Sequence, residues 1–260
     1  MNCGFLVNTD CLEYLKTIEG ESVDLVLTDP PYFIGFDGGK GWDSQWKTED
    51  EYLDWCKEWT VECARVLKPN RMMVIWGTLK TDTFLKHKLE ILNKIPELYG
   101  QNEIIWSYNW GGRQKKNFAR KHEYAWCYSK GEEFLFNADD IRVERKLKKN
   151  IRTGEEHQMG TIPTSVWEKN NHTTSKDFCG WHPTTKNIEL LERIIKAYTN
   201  PNDVVLDIFM GSGSTMVACN NTGREGIGCE LDPQYYEKSL ERIKSLDNSL
   251  LKYFNNDKLD

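Results

Sequence analysis

The sequence contains no apolar run of the about 18 residues that a membrane-spanning helix needs. Its first ten residues, MNCGFLVNTD, lack the basic start and long apolar stretch of a secretory signal, so we expect none. Eight cysteines are present, but no two have the CxxC spacing that zinc sites favour, and the chain is too long for a typical disulfide scaffold. These absences predict a soluble, cytoplasmic protein with reduced thiols and no bound metal.

An excess of positive charge is also absent. The chain has 34 Lys and Arg against 40 Asp and Glu, and its net charge of −6 argues against a uniformly basic nucleic-acid binder. No internal repeat or low-complexity tract is visible. With 260 residues, 39% of them hydrophobic, the chain is long enough and apolar enough for one large α/β domain, with or without an insertion.

Strand-like and helical segments alternate at both ends of the sequence. Strands are predicted for GFLVNTD, VDLVLTDPPY, MMVIWG, DVVLDIF and REGIGCELD, and helices for CLEYLKTI, residues 48–68, NIELLERIIKAY and PQYYEKSLERIKSL. We expect Lys68-Pro69-Asn70 to end the second helix. Strands separated by single helices predict a mostly parallel, doubly wound sheet.

The middle of the chain, from about residue 138 to residue 178, has a different pattern. Periodicity fades there and polar residues accumulate. The segment is either an insertion or mobile module on the α/β core, or a disordered linker. Ile162, Val166, Trp167 and Phe178 favour at least partial packing.

A glycine-rich turn follows one predicted strand in DVVLDIFMGSGST. The strand ends at Asp207, and Gly211 and Gly213 allow the backbone to approach a ligand closely. Met216 stands where a nicotinamide-binding GxGxxG turn has its third glycine. Glu230 ends the next strand 19 residues after Gly211, at the distance where an acidic residue grips a ribose diol. The alternative is that Glu230 is only an exposed strand-end acid.

A second strand ends in Thr28-Asp29-Pro30-Pro31-Tyr32. Two prolines remove backbone donors and leave carbonyl oxygens to accept hydrogen bonds, Asp29 adds a second acceptor, and Tyr32 offers a stacking face. Such a set is suited to gripping the exocyclic amino group of a flat ring. A double proline also serves simply to end a strand, and the segment alone does not decide between the two.

Together the two segments resemble the S-adenosylmethionine-dependent amino-methyltransferases of DNA. The order, with DPPY before the glycine-rich turn, is similar to the beta class of bacterial restriction–modification enzymes. NTDCLEYL, RVLKPNRMMVIWG, KHEYAWCYSKG and HPTTKNIELLERII also resemble segments of this family, although Asn70, Arg71 and Asn187 depart from its pattern. The resemblance implies a Rossmann-like methyltransferase fold over residues 1–260, in a single domain with permuted motif order and with a target-recognition segment inserted at about 138–178.

The resemblance also implies roles for particular residues. Asp29, Pro30, Pro31 and Tyr32 are expected to be catalytic, holding the target amine and stacking on a base that has left the duplex. The residues expected at the cofactor are Asp10, Cys11, His182, Thr184, Lys186, Asp207, Phe209, Gly211, Ser212, Gly213, Ser214 and Glu230. Lys186 is placed there to neutralise the methionine carboxylate, with a solvated lysine at a helix start as the alternative.

Basic residues cluster in two runs, 113–122 and 141–153, each with a net charge of +5, so the rest of the −6 chain sums to −16. A single basic run is usually a solvated face, but two runs beside the proposed recognition segment favour contact with the phosphates of double-stranded DNA. The predicted DNA-binding residues are Arg113, Lys115, Lys116, Arg120, Lys121, Arg142, Arg145, Lys146, Lys148, Lys149 and Arg152. Trp106, Trp110 and Phe118 either stack on bases or only pack.

The leading interpretation is adenine-N6 methylation of duplex DNA, because Asp29 leans towards adenine by family resemblance. Cytosine-N4 methylation is the nearest rival, since both reactions use an exocyclic amine. The intact DPPY and GSGST argue against a non-catalytic partner subunit, and the missing third glycine argues against a nicotinamide dehydrogenase. A homodimer and a role in restriction protection are further expectations from the resemblance.

Overall fold

A computed structural model describes residues 6–36, 38–109, 114–144, 160–168 and 178–245. The strands are β1 (Leu6–Asn8), β2 (Val23–Thr28), β3 (Leu67–Gly77), β4 (Leu98–Ser107), β5 (His122–Lys130), β6 (Val166–Glu168), β7 (Val204–Asp207) and β8 (Glu225–Glu230). The α-helices are α1 (Cys11–Thr17), α2 (Glu49–Val66), α3 (Thr83–Lys86), α4 (Ile188–Tyr198), α5 (Ser214–Thr222) and α6 (Pro233–Lys244). None of the helices in these ranges is long and apolar enough to cross a bilayer.

The eight strands form one sheet in the order β1-β8-β7-β2-β3-β5-β4-β6. The strands from β1 to β3 are mutually parallel, while β5 runs antiparallel to both β3 and β4. After β2 the chain moves outward to β3, and after β7 it moves outward to β8 on the other side. The strand order therefore reverses between β2 and β7, where doubly wound sheets bind their ligands. The predicted mostly parallel α/β sheet is confirmed.

Hydrophobic layers cover both faces of the sheet. All six residues of β2 are buried, which agrees with its nearly continuous apolar sequence, VDLVLT. On one face α1 and α2 contribute Leu15 and Trp59 to the core, and on the other face α4 contributes Ile194. Helices on both faces hold β2 rigidly at the centre, so the residues that follow it have a fixed position.

One buried charge cluster lies at the amino end of β2. Both carboxylate oxygens of Asp24 are 2.9 Å from the Lys68 ammonium, and Oδ1 is 3.0 Å from Arg71 Nη2. The backbone N–H of Val204 donates to Oδ2 at 3.0 Å, and Arg71 also pairs with Asp203 at 2.9 Å. These contacts join β2, β3 and β7 at the end of the sheet that carries no candidate site.

The predicted helix over 48–68 is confirmed for Glu49–Val66, where Thr48 caps its start by accepting a hydrogen bond from Glu51 N at 3.2 Å. Its end differs slightly from the prediction. The backbone is already extended at Leu67, and Lys68-Pro69-Asn70 belongs to β3 instead of a separate turn. Asn70 has a φ of 61°, in the left-handed region, so the backbone of β3 departs from the regular extended conformation at this residue.

The described parts of the central region continue the sheet. Val166–Glu168 forms β6 beside β4, and Asn137, just ahead of a 3₁₀ turn at residues 138–141, donates to the Thr199 carbonyl at the end of α4 at 2.8 Å. Trp167 is buried, as expected. Val166 is exposed instead of packed, since β6 is an edge strand, and Ile162, which precedes β6, is exposed as well. A target-recognition role for this region stays a prediction, since most of its polar residues lie outside the described ranges.

Candidate active site

A cavity of about 520 Å³ opens at the carboxyl ends of the central parallel strands. It lies where the strand order reverses between β2 and β7. Its walls include residues 9–11 after β1, 29–32 after β2, 207–212 after β7, Glu230 at the end of β8 and residues 182–186 ahead of α4. Segments that are far apart in the sequence therefore meet around one space.

Thr28 joins the two central strands at the floor of this cavity. Its hydroxyl donates to Asp207 Oδ1 at 2.9 Å, and the same oxygen accepts the backbone N–H of Phe209 at 3.1 Å. Burial raises the pKa of Asp207 to about 6, and the hydrogen bonds that it accepts counter part of that rise. Asp207 thus lines the cavity as predicted, but its carboxylate ties the DPPY segment to the glycine-rich turn. The sequence analysis missed this role of Thr28.

The glycine-rich turn needs glycine at two points. Gly211 and Gly213 have φ values of 49° and 74°. A Cβ at Gly211 would lie 2.9 Å from the His182 ring, and one at Gly213 would lie 3.2 Å from the Ser239 side chain. Gly211 therefore brings the backbone to the cavity wall, while Gly213 lies against α6.

The serines of this turn face inward. Ser212 and Ser214 are buried, their hydroxyls are 3.0 Å apart, and Arg242 of α6 donates to the Ser212 carbonyl at 2.9 Å. Both residues line the cavity, but these contacts also give them a structural role in fixing the turn.

Glu230 lies beside the turn with both carboxylate oxygens engaged by backbone amides. Oε2 accepts the N–H of Gly211 at 2.7 Å, and Oε1 accepts that of Asp232 at 2.9 Å. Burial raises its pKa, and the two amide hydrogen bonds oppose that rise. Each oxygen keeps a second lone pair with which to accept a hydroxyl group. Asp10, next to it on the sheet edge, caps α1 by accepting from Leu12 N at 2.8 Å.

His182 is packed against this region as a neutral ring. Its Nδ1 accepts the N–H of Thr184 at 3.3 Å, and its ring meets that of Tyr235 at 4.5 Å. Burial, with help from the positive charges of Lys186 and Arg242, lowers its pKa to about 4. The imidazole of His182 is therefore neutral near pH 7, and it packs against the cavity wall beside Gly211.

The DPPY segment forms the opposite wall. The Tyr32 hydroxyl donates to Asp29 Oδ1, and the Lys186 ammonium lies 2.5 Å from Asp29 Oδ2. Tyr52 of α2 donates to the Pro31 carbonyl at 2.7 Å. Within the described part of the chain, the Pro30 carbonyl accepts no hydrogen bond. Pro30 is one of the residues that line the cavity.

Lys186 lines the cavity between the DPPY segment and β5. Its ammonium is paired with Asp29 and, at 3.1 Å, with Glu123 of β5, so it is not a solvated lysine at a helix start. Its contact with the cofactor carboxylate stays a prediction. Sequence reasoning missed Glu123. The available signal was a charged residue in HEYAWCYS, an otherwise apolar strand.

A model of the DNA methylase family N6_N4_Mtase matches residues 23–241, which include the DPPY segment, the glycine-rich turn and seven of the eight strands. The chain is a member of the N6/N4 DNA methylase family. It is 34% identical over 242 residues to the type II methyltransferase M.HpaI of Haemophilus parainfluenzae, covering 92% of this chain and 74% of the relative. It is 36% identical over 251 residues to the DNA adenine methyltransferase YhdJ of Escherichia coli K12, covering 92% and 82%.

Solved structures give the same fold. The PvuII cytosine-N4-specific DNA methyltransferase superposes with a TM-score of 0.73 at 20% identity, covering 96% of this methylase and 93% of that chain. The M1.HpyAVI–SAM complex superposes with a TM-score of 0.59 at 26% identity, covering 92% and 98%. The predicted methyltransferase fold and family are confirmed.

The loop after DPPY in this methylase is organised by one carboxylate. Asp43 is buried and accepts the backbone N–H groups of Phe33, Ile34 and Phe36 at 2.7, 2.9 and 2.9 Å. Phe33 has a φ of 56°, and these three hydrogen bonds compensate the strain of that conformation. Asp43 was missed because an acid eleven residues after the motif carries no local signal of its partners.

Aromatic residues of α2 form the wall between the two loops. Phe209 lies 5.4 Å from the Trp55 ring and 5.5 Å from the Trp59 ring, and Phe33 stacks on Tyr52 at 5.3 Å. The helical spacing of these residues was visible in the sequence. Its consequence, an aromatic wall that reaches the cavity, depends on how α2 packs.

The predicted DNA-binding residues fall into two groups. Arg113, Arg145, Lys146, Lys148, Lys149 and Arg152 lie outside the described residues, as does Trp110. Lys115 and Lys116 are exposed, Arg120 borders the cavity, and Lys121 donates to the Asn109 carbonyl at 2.9 Å. Arg142 is engaged within the chain.

The contacts of Arg142 are with Asp139 at 2.7 Å and with the Gly160 carbonyl at 3.0 Å. These contacts favour a structural role over phosphate binding. The two described aromatic residues of the three named with the basic runs also differ. Trp106 is buried and packs on Trp76 at 6.2 Å, whereas Phe118 is 92% exposed.

The sequence analysis expected no metal. Within the described ranges, no three His, Cys, Asp or Glu side chains are arranged to hold one. The cysteines that the structure describes are free thiols, and all but Cys179 are buried.

Proposed function

We propose that this methylase transfers a methyl group from S-adenosylmethionine to the exocyclic N6 of adenine in double-stranded DNA. The observation that carries the proposal is the position of Asp29 and the Pro30 carbonyl, which border the same cavity as Glu230 and the glycine-rich turn. Asp29 and the Pro30 carbonyl, here called the amine grip, and Glu230 with the glycine-rich turn, here called the diol grip, thus border the same cavity. Their separation by the β2–β7 junction supports a two-substrate reaction.

The residues of the second grip fit the cofactor. Glu230 has a lone pair left on each oxygen for the ribose hydroxyls, and Asp10 lies beside it for the adenine end. Gly211 presents backbone without a side chain, and Phe209 adds an aromatic surface. When bound, S-adenosylmethionine supplies a methyl group made electrophilic by its sulfonium charge.

Asp29 and the Pro30 carbonyl then orient the target amine. Each accepts one of the two amine hydrogens, which directs the nitrogen lone pair away from the ring plane and towards the methyl carbon. The nitrogen forms the new N–C bond as the C–S bond breaks, and the bonding pair stays on sulfur. The proton that the nitrogen must lose leaves along its hydrogen bond to Asp29 and passes on to water. The rate gain comes from positioning and electrostatics.

Tyr32 has to move for this geometry to form. Its hydroxyl donates a hydrogen bond to Asp29 Oδ1, the oxygen that would accept the target amine, and Lys186 donates to Oδ2. A base that enters from the duplex therefore replaces the Tyr32 hydroxyl and gains the ring as a stacking surface. Exposed lysines such as Lys115 and Lys116 would hold the duplex by its phosphates.

Cytosine-N4 methylation is the second candidate, supported by the fold match to the PvuII enzyme, whose name gives that specificity. The adenine assignment is supported by Asp29 and by the 36% identity to YhdJ, named as an adenine methyltransferase. The type II names of relatives such as M.HpaI support a role in protecting DNA from a restriction nuclease.

The decisive test is transfer of tritiated methyl groups to duplex DNA, followed by digestion to nucleosides. We expect label in N6-methyladenine. Label in N4-methylcytosine would replace the base assignment, and DNA without label, at saturating cofactor and over many DNA sequences, would reject the function. Sequencing that detects methylated bases would then give the target site.

A further inference from the structure

A three-residue charge cluster stands behind the amine grip. The Lys186 ammonium lies 2.5 Å from Asp29 Oδ2, 3.1 Å from Glu123 Oε2 and 3.2 Å from the Tyr32 hydroxyl. Only 9% of the Lys186 side chain is exposed. A lysine so deeply buried is rarely found unless it is paired, and here it is paired twice.

The members of this cluster come from three separate parts of the chain. Asp29 follows β2, Glu123 lies in β5, and Lys186 precedes α4. The strand β5 is antiparallel to β3, with Gly77 opposite Tyr124. The amino end of β5 therefore lies beside the carboxyl ends of β2 and β3. All three residues border the cavity.

Stability alone does not account for the arrangement. Burying three charges is costly, and replacing such a group by apolar side chains is often neutral or favourable for folding. A cluster that is buried, borders a cavity and holds the acceptor of the amine grip is therefore a candidate for function.

The charge balance gives the second argument. Lys186 with Asp29 alone would be neutral, and an ionised Glu123 brings the cluster to −1. Burial and the charge of Asp29 raise the pKa of Glu123, and the positive charge of Lys186 counters that rise. During methyl transfer the target nitrogen gains positive charge, which a net negative cluster stabilises and a neutral one does not. Burial opposes the charge of Lys186, yet the two carboxylates outweigh it and raise its pKa.

Resting on the proposed function, we propose that Lys186 and Glu123 are positioning residues for methyl transfer. Lys186 fixes Asp29 by Oδ2 so that Oδ1 points to the target amine. Glu123 holds Lys186 in place and keeps the cluster at a net charge of −1. Lys186 thereby serves the amine grip and not the cofactor carboxylate.

The first test is Glu123→Gln, which keeps the shape of the side chain and removes its charge. We expect the single-turnover rate at saturating cofactor and DNA to fall about 10-fold or more, with both affinities within about twofold of wild type. Glu132→Gln, an exposed residue just after β5, is the matched control. An unchanged rate in Glu123→Gln overturns the role of Glu123.

The second test separates charge from structure. Lys186→Met leaves two carboxylates facing each other, and we expect a rate loss of about 100-fold. Like charges raise each other's pKa, so the acidic limb of its rate–pH profile should move to higher pH. Adding Glu123→Gln restores a net charge of −1, and we expect this double variant to regain about 10-fold and to move the limb back.

Tyr108, His182, Tyr52 and Asp207 also feel this cluster. Burial raises the pKa of Tyr108 to about 12, raises that of Tyr52 and lowers that of His182 to about 4, so none of these three changes charge near neutral pH. Burial raises the pKa of Asp207 to about 6, so Asp207 titrates within the acidic limb, and the shift is measured as the difference between the variant and wild-type profiles. Tyr32, which touches Lys186, has its pKa raised by burial and by Asp29.

Three outcomes overturn the inference. A double variant as slow as Lys186→Met at every pH, with unchanged melting temperature, would show that charge balance is not the cause. Weaker cofactor binding in Lys186→Met at an unchanged rate would return Lys186 to the cofactor carboxylate. A wild-type protein that methylates no DNA rejects the proposed function and this inference together, whereas active wild type with unaffected variants rejects only the inference.

Discussion

A carboxylate paired with basic side chains lies at each end of β2, and the surroundings of the two differ. Asp24 at the amino end meets Lys68, Arg71 and the Val204 amide, and Asp203 completes the set. Two acids and two bases there sum to zero charge. At the carboxyl end, Asp29 shares its single cation with Glu123, which leaves a charge of −1 beside a cavity.

This difference separates a structural cluster from a candidate functional one. A balanced cluster whose central carboxylate, Asp24, has both oxygens engaged serves to align neighbouring strands. The cluster of Asp29, Glu123 and Lys186 has surplus negative charge and lies beside the Pro30 carbonyl, which lacks a donor. It can therefore bind a ligand that carries hydrogen-bond donors. Variants at the two ends should therefore fail in different ways.

The largest effect is expected at Asp29. Asp29→Ala removes one of the two amine acceptors, and we expect the single-turnover rate to fall by about 10³-fold, with cofactor affinity largely intact. Methyl transfer is measured with tritiated cofactor, and cofactor binding by calorimetry. Normal turnover would show that the amine grip lies elsewhere.

The opposite behaviour is expected for Asp24→Asn. This change leaves Lys68, 37% exposed, and Arg71, 19% exposed, with less compensation. We expect a loss of about 3 kcal/mol in the free energy of unfolding, at the low end for a broken buried pair, because Lys68 reaches water and Arg71 keeps Asp203. The melting temperature should fall by about 6–12 °C. Well below that temperature the methyl-transfer rate should match that of wild type, and a rate loss without a stability loss would erase the distinction between the two ends.

Glu230→Ala tests the other side of the cavity. Loss of a charged acceptor for the ribose hydroxyls should weaken cofactor binding by about 10- to 100-fold. Glu225→Ala, an exposed residue at the start of the same strand, is the control and should bind normally. Calorimetry on both variants decides the matter, since equal affinities would move the cofactor site away from Glu230.

The smallest effect is expected at the exposed lysines outside the cavity. Replacing Lys115 and Lys116 with Ala should weaken the binding of cognate and unrelated DNA alike. The slope of log affinity against log salt concentration should become less steep by about 0.9 per lost phosphate contact. Cofactor affinity should not change. The exposed Lys57 of α2 is the control. The same experiment on Lys148 and Lys149, which lie outside the described residues, tests the second basic run.

Local patterns account for what the sequence analysis predicted well. The order of strands and helices followed from apolar periodicity, and both loops at the cavity were found because their residue types have few other uses at a strand end. The exceptions also have physical causes. Val166 was expected to pack because it is apolar, but its position in an edge strand leaves it exposed.

The sequence by itself determined the elements, the two loops and the family resemblance, because each depends on residues close together in the chain. Only the tertiary structure decided which side chains those loops meet. Lys186 reaches Asp29 across 157 residues, and Glu123 joins them because β5 turns back beside β3. Contacts of this kind depend on strand order and register, which no local pattern encodes, and they bring Lys186 to Asp29 and Glu123.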